Sequence, residues 1–166
     1  MKRLNLELAS LSKNPPYGIV QIGPKDDSDF LTWSFILKGP EETPYHGHDL
    51  HGKITFSDDY PLSPPKVTFT HDLFHPNVYP FDSKDKSGEV CISILHTGDD
   101  ETEYEHYTER WTPVQNVETI LLSILSMVSE PNHESPANID AAKMFREERE
   151  NWKAMVGAIL ESSMDE

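Results

Sequence analysis

The sequence predicts an α+β fold: a four-stranded antiparallel meander sheet with an N-terminal helix, a central helix and two C-terminal helices. Leucines recur at helical spacing ahead of Pro15-Pro16. Four short runs of β-branched and aromatic residues then follow between Tyr17 and Thr70, broken by Gly, Pro and Asp. Helical periodicity returns only after Trp111. The 166 residues suit one domain, 1–166, without a linker or an internal repeat. A hydrophobic fraction of 36% supplies a core, and a domain of this size buries roughly 70% of its unfolded surface.

Each element has its own signal. From Lys2 to Lys13, Leu4, Leu8 and Leu11 share one helical face, with Leu6 off to the side. Pro15-Pro16 ends that helix, because proline lacks the N–H and restricts the residue before it. The strands are expected at Gly18–Ile22, Phe30–Leu37, Leu50–Phe56 and Lys66–Thr70. In the third, Leu50, Ile54 and Phe56 alternate inward with Gly52, while Asp49, His51, Lys53 and Thr55 face outward. One face of the sheet is therefore wet, as antiparallel sheets permit. His71 to Val90 and Thr97 to Glu109 read as long irregular segments. Val117 to Val128 carries a broad apolar stripe fit for a central helix. Asn138 to Asn151 opens on an N-cap residue, and Trp152 to Ser162 predicts a last helix.

Composition excludes several classes of function. Asp plus Glu number 29 against 14 Lys plus Arg, a formal charge of −15. Such a chain is repelled by nucleic-acid and anionic-membrane phosphates. It suits a basic partner surface, or simply solubility. No apolar run reaches the length of a membrane span, and Met1-Lys2-Arg3 does not lead into a secretory signal. A single cysteine excludes an internal disulfide and a multi-cysteine zinc site.

That cysteine, Cys91, lies in the short apolar run Glu89-Val90-Cys91-Ile92-Ser93-Ile94-Leu95. On composition it reads as a buried structural thiol at least as well as a reactive one. A cysteine hydrolase needs an imidazole beside the sulfur, and chain spacing does not place His75 or His96 there. The nearby carboxylates disfavour a pre-formed thiolate, which suits exchange with a substrate that is already activated, such as a thioester. In His75-Pro76-Asn77, the Asn amide could donate to an acyl-transfer oxyanion, or the tripeptide could be an ordinary turn. Tyr60-Pro61-Leu62-Ser63-Pro64-Pro65-Lys66 is a stiff loop with an apolar tip, a docking surface or a plain strand connection. His46, His48 and His51 cluster, but their strand parity does not converge, so no metal site is expected.

Taken together, these features resemble the ubiquitin-conjugating enzyme family over nearly the whole chain. The resemblance runs through Phe30-Leu31-Thr32-Trp33, Thr43-Pro44-Tyr45-His46-Gly47, the Tyr60 to Lys66 loop, His75-Pro76-Asn77 and Gly88 to Leu95. It continues through Trp111-Thr112-Pro113-Val114, Glu130-Pro131-Asn132, Ser135-Pro136-Ala137-Asn138 and Phe145. Within the family the chain resembles the subclass with an acidic loop after the cysteine, whose members build degradation-signalling ubiquitin chains and serve protein quality control.

The resemblance implies an enzyme that takes ubiquitin from the activating enzyme as a thioester on Cys91 and passes it to a lysine amine with a RING-type ubiquitin ligase. It implies no bound cofactor, since ATP is consumed upstream by the activating enzyme. It implies no nucleic-acid partner and no membrane insertion. The implied location is cytoplasmic, with nuclear presence or recruitment to the endoplasmic reticulum surface by a partner as further options. Asn77 would support the oxyanion or the loop, and Ser135 would stand as a gate over the cysteine. Leu62, Pro113, Val114, Lys2 and Arg3 match ligase-binding positions, and Leu122 and Ser126 match the donor-ubiquitin face. A conjugating enzyme for another ubiquitin-like modifier, and a non-catalytic ubiquitin-binding module, remain the alternatives.

Two insertions mark this chain against the family pattern. One lies near 81–86, between Asn77 and Cys91, and is expected to bulge away rather than displace Asn77. The other, 97–109, holds Asp99, Asp100, Glu101, Glu103, Glu105 and Glu109, with no Lys or Arg among them. These carboxylates either form a solvated loop or steer a cationic lysine toward Cys91, within a screening length of about 8 Å. The polar outward row Asp49, His51 and Lys53 predicts weak ubiquitin binding on the back of the sheet.

Overall fold

The computed structural model describes residues 1–97, 110–134 and 136–164. Its elements are α1 (Lys2–Lys13), β1 (Ile19–Pro24), β2 (Thr32–Lys38), β3 (Asp49–Thr55), β4 (Lys66–Phe69), a 3-10 turn (Ser93–Leu95), α2 (Val117–Ser129), α3 (Ile139–Glu147) and α4 (Arg149–Met164). The four strands form one sheet in the order β1-β2-β3-β4, every neighbour antiparallel. This is the expected meander.

Strand parity builds the core. Trp33 pairs with Ile54, Phe35 with Gly52 and Leu37 with Leu50, all on the buried face. Gly52 then pairs with Phe69, and the Phe35 and Phe69 rings meet edge-on at 5.8 Å. A Cβ on Gly52 would lie 2.2 Å from the Phe35 ring, so only glycine admits that ring there. Asp49, Lys53 and Thr55 are exposed and His51 is half-buried, as the alternation requires.

Helices close the other side of the core. Leu4 and Leu11 anchor α1 while Leu6 stays 63% exposed, consistent with a one-face leucine stripe. Helix α2 carries a capping box: the Asn116 side chain accepts from the Thr119 backbone N–H, and the Thr119 hydroxyl accepts from the Asn116 N–H. Its Val117, Ile120, Leu121, Ile124, Met127 and Val128 are buried.

The helix expected from Asn138 to Asn151 is in fact divided. Asn138 caps α3 by accepting from the Ala141 N–H, but the chain leaves helical geometry at Glu148, with φ −139° and ψ 60°. The Arg149 guanidinium stacks 3.6 Å over the Phe145 ring, and its Nε donates to the Phe145 carbonyl at 2.6 Å. The bend turns Trp152 edge-on to Phe145 at 4.8 Å and against Tyr45 at 6.1 Å. Tertiary aromatic packing overrides a continuous helical pattern that contains no Gly or Pro.

Candidate active site

The wall of the site is His75-Pro76-Asn77. It is fixed from behind at Phe74, whose φ is 52°, in the left-handed region non-glycine residues rarely adopt. The Phe74 carbonyl accepts from the Tyr45 hydroxyl at 3.2 Å and from Trp152 Nε1 at 3.3 Å. His75 is fully buried. Its Nδ1 accepts from the Asn77 backbone N–H at 2.9 Å, which leaves the proton on Nε2 to donate to the Met127 carbonyl at 3.0 Å. Burial pushes this imidazole from 6.5 down to about 3. His75 is therefore a neutral strut between the wall and α2 rather than an acid or base.

Pro76 and Asn77 tie the wall to the segment before α3. The Pro76 carbonyl accepts from the Ala137 N–H at 2.8 Å and the Asn138 N–H at 3.0 Å. The Asn77 side chain closes a two-bond clasp on Asn132: Nδ2 donates to its carbonyl and Oδ1 accepts from its N–H, each at 2.9 Å. The Asn77 carbonyl in turn accepts from the Cys91 N–H at 2.9 Å. One residue thus holds the Cys91 backbone with its main chain and the neighbouring loop with its side chain.

Cys91 leaves a short antiparallel pairing, Val78 with Val90, and enters the 3-10 turn. Its thiol is partly exposed. Sγ lies 3.7 Å from His96 Nε2, within reach of a sulfur hydrogen bond. The sulfur opens onto a cleft of about 1100 Å³ bordered by Asn77, Tyr79, Lys86, Ser123, Ser126 and Asn132, among others. Such a groove can hold an extended acyl chain with its terminal carbonyl at Sγ, while α2 forms the facing side.

The 81–86 segment stands beyond the wall. Tyr79 N–H donates to the Glu89 carbonyl at 2.9 Å and Gly88 N–H to the Tyr79 carbonyl at 3.2 Å, so the extra residues leave from a closed neck. Gly88 makes the neck possible. Its φ is +73°, and a Cβ there would sit 2.3 Å from the Phe69 carbonyl oxygen. Within the loop the Ser87 hydroxyl donates to the Phe81 carbonyl at 2.6 Å, and Lys86 Nζ lies 4.9 Å from the centre of the Tyr79 ring.

The remaining expected site residues fall in separate places. Leu62 is 72% exposed and Val114 85%, with Pro113 exposed between the latter and Thr112. Trp111 Nε1 donates to the Pro61 carbonyl at 2.9 Å and so joins the two loops. Lys2 is exposed, whereas Arg3 is committed inward, donating to the carbonyls of Pro113 at 3.0 Å and Gln115 at 2.7 Å. Leu122 and Ser126 stand exposed four residues apart on α2. Ser135, Asp99, Asp100, Glu101, Glu103, Glu105 and Glu109 lie outside the described residues. Among the described residues no three His, Cys, Asp or Glu side chains gather as metal ligands would.

Three participants were not legible beforehand. Glu7 takes the Arg3 guanidinium at 2.9 Å, the Tyr60 hydroxyl at 2.7 Å and the Val117 N–H at 2.7 Å, which ties α1 to the Tyr60 loop and to the start of α2. Arg3 and Glu7 at i and i+4 are a readable pair, but the hub is not. Asn132 acts through its backbone, which leaves no side-chain signal. The cleft-lining position of Lys86 arises from the loop's fold, not from any pattern.

Comparison with known proteins agrees with this geometry. A family model described as "Ubiquitin-conjugating enzyme" matches residues 3–160. The chain is 48% identical to "Ubiquitin-conjugating enzyme E2 G2" of Homo sapiens over 99% of this chain and 96% of the relative. It is 48% identical to "Ubiquitin-conjugating enzyme E2 15" of Schizosaccharomyces pombe, covering 98% and 93%. It is 46% identical to "Ubiquitin-conjugating enzyme E2 13" of Arabidopsis thaliana, covering 98% and 94%.

Proposed function

The chain belongs to the ubiquitin-conjugating enzyme family, and we propose from that premise how its residues divide the work. It is a cysteine-thioester ubiquitin transferase that works between an activating enzyme and a ligase. The observation that carries the assignment of its nucleophile is the partly exposed Cys91 thiol, opening onto a long cleft with its backbone N–H fixed by Asn77.

In the first step Cys91 Sγ attacks the ubiquitin carbonyl of the activating-enzyme thioester. A new C–S bond forms, the C–S bond to the activating enzyme breaks, and the Cys91 proton passes to the departing thiolate or to solvent. In the second, a neutral lysine amine attacks that carbonyl, the tetrahedral intermediate collapses to an amide, and the Cys91 thiolate departs. An amide is more stable than a thioester, so the enzyme's task is orientation and proton removal. The Asn77 amide nitrogen has two hydrogens, one of which Asn132 takes. The other is the one we assign to the oxyanion. His96 Nε2, 3.7 Å from Sγ, is placed to hold the departing sulfur's charge.

A RING-type ligase would grip Leu62, Pro113 and Val114, with Lys2 at the rim. Donor ubiquitin would fold onto Leu122 and Ser126, and Ser135 would act as the gate. The acidic residues from Asp99 to Glu109 would steer the acceptor amine. Degradation-signalling chains and a cytoplasmic location, extended to the nucleus or to the endoplasmic reticulum surface by a partner, complete the proposal. The relatives cited are all named for ubiquitin, and no observation favours another modifier.

The test is to mix the protein with ubiquitin, ubiquitin-activating enzyme and ATP and run a non-reducing gel. Cys91 is the sole cysteine, so a reductant-sensitive single adduct has one possible site. Absence of that adduct from a folded sample would sink the proposal.

A further inference from the structure

The loop at 81–86 brings a primary amine to the cleft that holds the thiol. Lys86 and Cys91 border the same cavity of about 1100 Å³. The backbone under Lys86 is fixed: its carbonyl accepts from the Glu89 N–H at 2.9 Å, and the neck at Tyr79 and Glu89 is closed. The side chain is exposed, and its Nζ rests 4.9 Å from the Tyr79 ring centre. Tyr79 lies two residues from Asn77, whose carbonyl holds the Cys91 N–H. Lys86 is thus a long, flexible amine on a fixed backbone at the border of the cleft onto which the sulfur opens. The contact of an exposed ammonium with the half-buried Tyr79 ring is weak enough to be given up.

Lys66 also borders the cleft, its backbone paired with Thr55 in the β3–β4 ladder, so it is the competing acceptor that the experiment separates from Lys86. It has the parity of Thr68, on the outer face of the sheet. Lys84, two residues before Lys86, does not border the cleft among the described residues.

We propose that Lys86 is a self-modification site, an intramolecular acceptor for the ubiquitin carried on Cys91. The inference rests on Cys91 being the thioester carrier. The neutral Lys86 amine attacks the thioester carbonyl, the C–N bond forms, the C–S bond breaks, and the amine's proton passes to solvent or the departing thiolate. The products are an isopeptide on Lys86 and a free Cys91 thiol, with no oxidant or further reactant required. Tethering makes the step unimolecular, so it competes with external lysines whenever none is held in the cleft.

The experiment charges the full chain with ubiquitin and then stops the activating enzyme by removing ATP, with no ligase present. A reductant-resistant single adduct should grow as the thioester decays. Mass spectrometry of the tryptic digest should find the Gly-Gly remnant on Lys86. The first-order rate should be unchanged by tenfold dilution. Lys86→Arg should cut formation of the adduct at least about tenfold, the scale of a lost tether. Lys84→Arg and Lys66→Arg should leave it unchanged. A remnant on other lysines with Lys86 bare, a rate that falls with dilution, or decay by hydrolysis alone would overturn the inference while leaving the thioester reading intact. Failure to form any thioester would overturn that reading and this inference together.

Discussion

The wall at His75-Pro76-Asn77 and the loop at 81–86 lie only a few residues apart and are built on opposite principles. In the wall, His75 and Asn77 are buried and their side-chain polar atoms are partnered, to Met127 and Asn132 and within the wall itself. In the loop, Phe81, Lys84 and Lys86 are exposed, and the bonds that hold it are its own. Between them stands the Tyr79–Glu89 neck. A buried, hydrogen-bonded network tolerates almost no change, because any lost partner strands a polar group. An exposed loop beyond a closed neck can change length at little cost. The catalytic geometry and the insertion are therefore separable, and each prediction tests how fully.

The largest expected effect is at the sulfur. Cys91→Ala should abolish the ubiquitin adduct, and Cys91→Ser should turn it from reductant-sensitive to reductant-resistant, since an oxygen ester replaces the thioester. Neither change should move the melting temperature by more than a few degrees, because the thiol is only half-buried. A surviving reductant-sensitive adduct on Cys91→Ala would remove Cys91 from the mechanism.

Asn77→Ala tests the wall itself. It removes both bonds to Asn132 and strands that residue's N–H and carbonyl, which should cost about 1–3 kcal/mol in denaturant unfolding. Loss of an oxyanion donor costs about a hundredfold or more in rate. We expect charging of Cys91 to persist and single-turnover discharge to free lysine to fall on the order of a hundredfold. A discharge rate that falls only as far as the folded fraction does would assign Asn77 to loop support alone.

Much of this was legible in the sequence, and the limits have physical reasons. Period-two alternation in β3 and the leucine stripe of α1 are local signals, and both elements form where the pattern puts them. The break at Glu148 was not legible, because its cause is the aromatic contact of Trp152 with Phe145 and Tyr45, made across the fold. The cysteine and the Asn stood out as residue types, but their relation depends on backbone bonds. The Cys91 N–H to the Asn77 carbonyl, and Asn132 to the Asn77 amide, carry no side-chain signature. His96 was visible beside Cys91 in number, yet only the 3-10 turn brings its Nε2 to 3.7 Å from Sγ.

Acid should expose the wall before the loop. The folded protein holds His75 at about 3, against 6.5 for the free imidazole. The unfolded chain therefore binds the extra proton first as pH falls. Stability from neutral His75 is complete above about 6.5, declines progressively below it, and is fully lost near pH 3. The loss should reach the order of 4 kcal/mol at that end. Other groups titrate in the same range, so the informative quantity is the difference from His75→Gln. That variant starts less stable at pH 7 but should lose stability less steeply between pH 6 and pH 4. Parallel slopes in urea unfolding would show that His75 is not the sensor.

The smallest expected effect is the sharpest test of separability. Deleting residues 82–86 leaves Phe81 joined to Ser87, with Gly88 still able to close on the Tyr79 carbonyl. No buried side chain is lost, since Asp82, Lys84, Asp85 and Lys86 are exposed and Ser83 is half-buried; the one partner given up at the neck is the Lys86 carbonyl, which accepts from the Glu89 N–H. Shortening a loop from about nine to four residues reduces its closure entropy by roughly half a kcal/mol to one kcal/mol. Strain in the tighter turn offsets part of that gain. The melting temperature should move by no more than about 3 °C, and Cys91 should charge within about twofold of the full chain. The shortened chain should nonetheless lose the adduct assigned to Lys86. A drop in charging tenfold or greater would mean that the neck does not insulate the wall. Asn77 would then depend on the insertion for its place beside Cys91. Unchanged charging with the adduct gone would show that the loop adds an acceptor to a site that is complete without it.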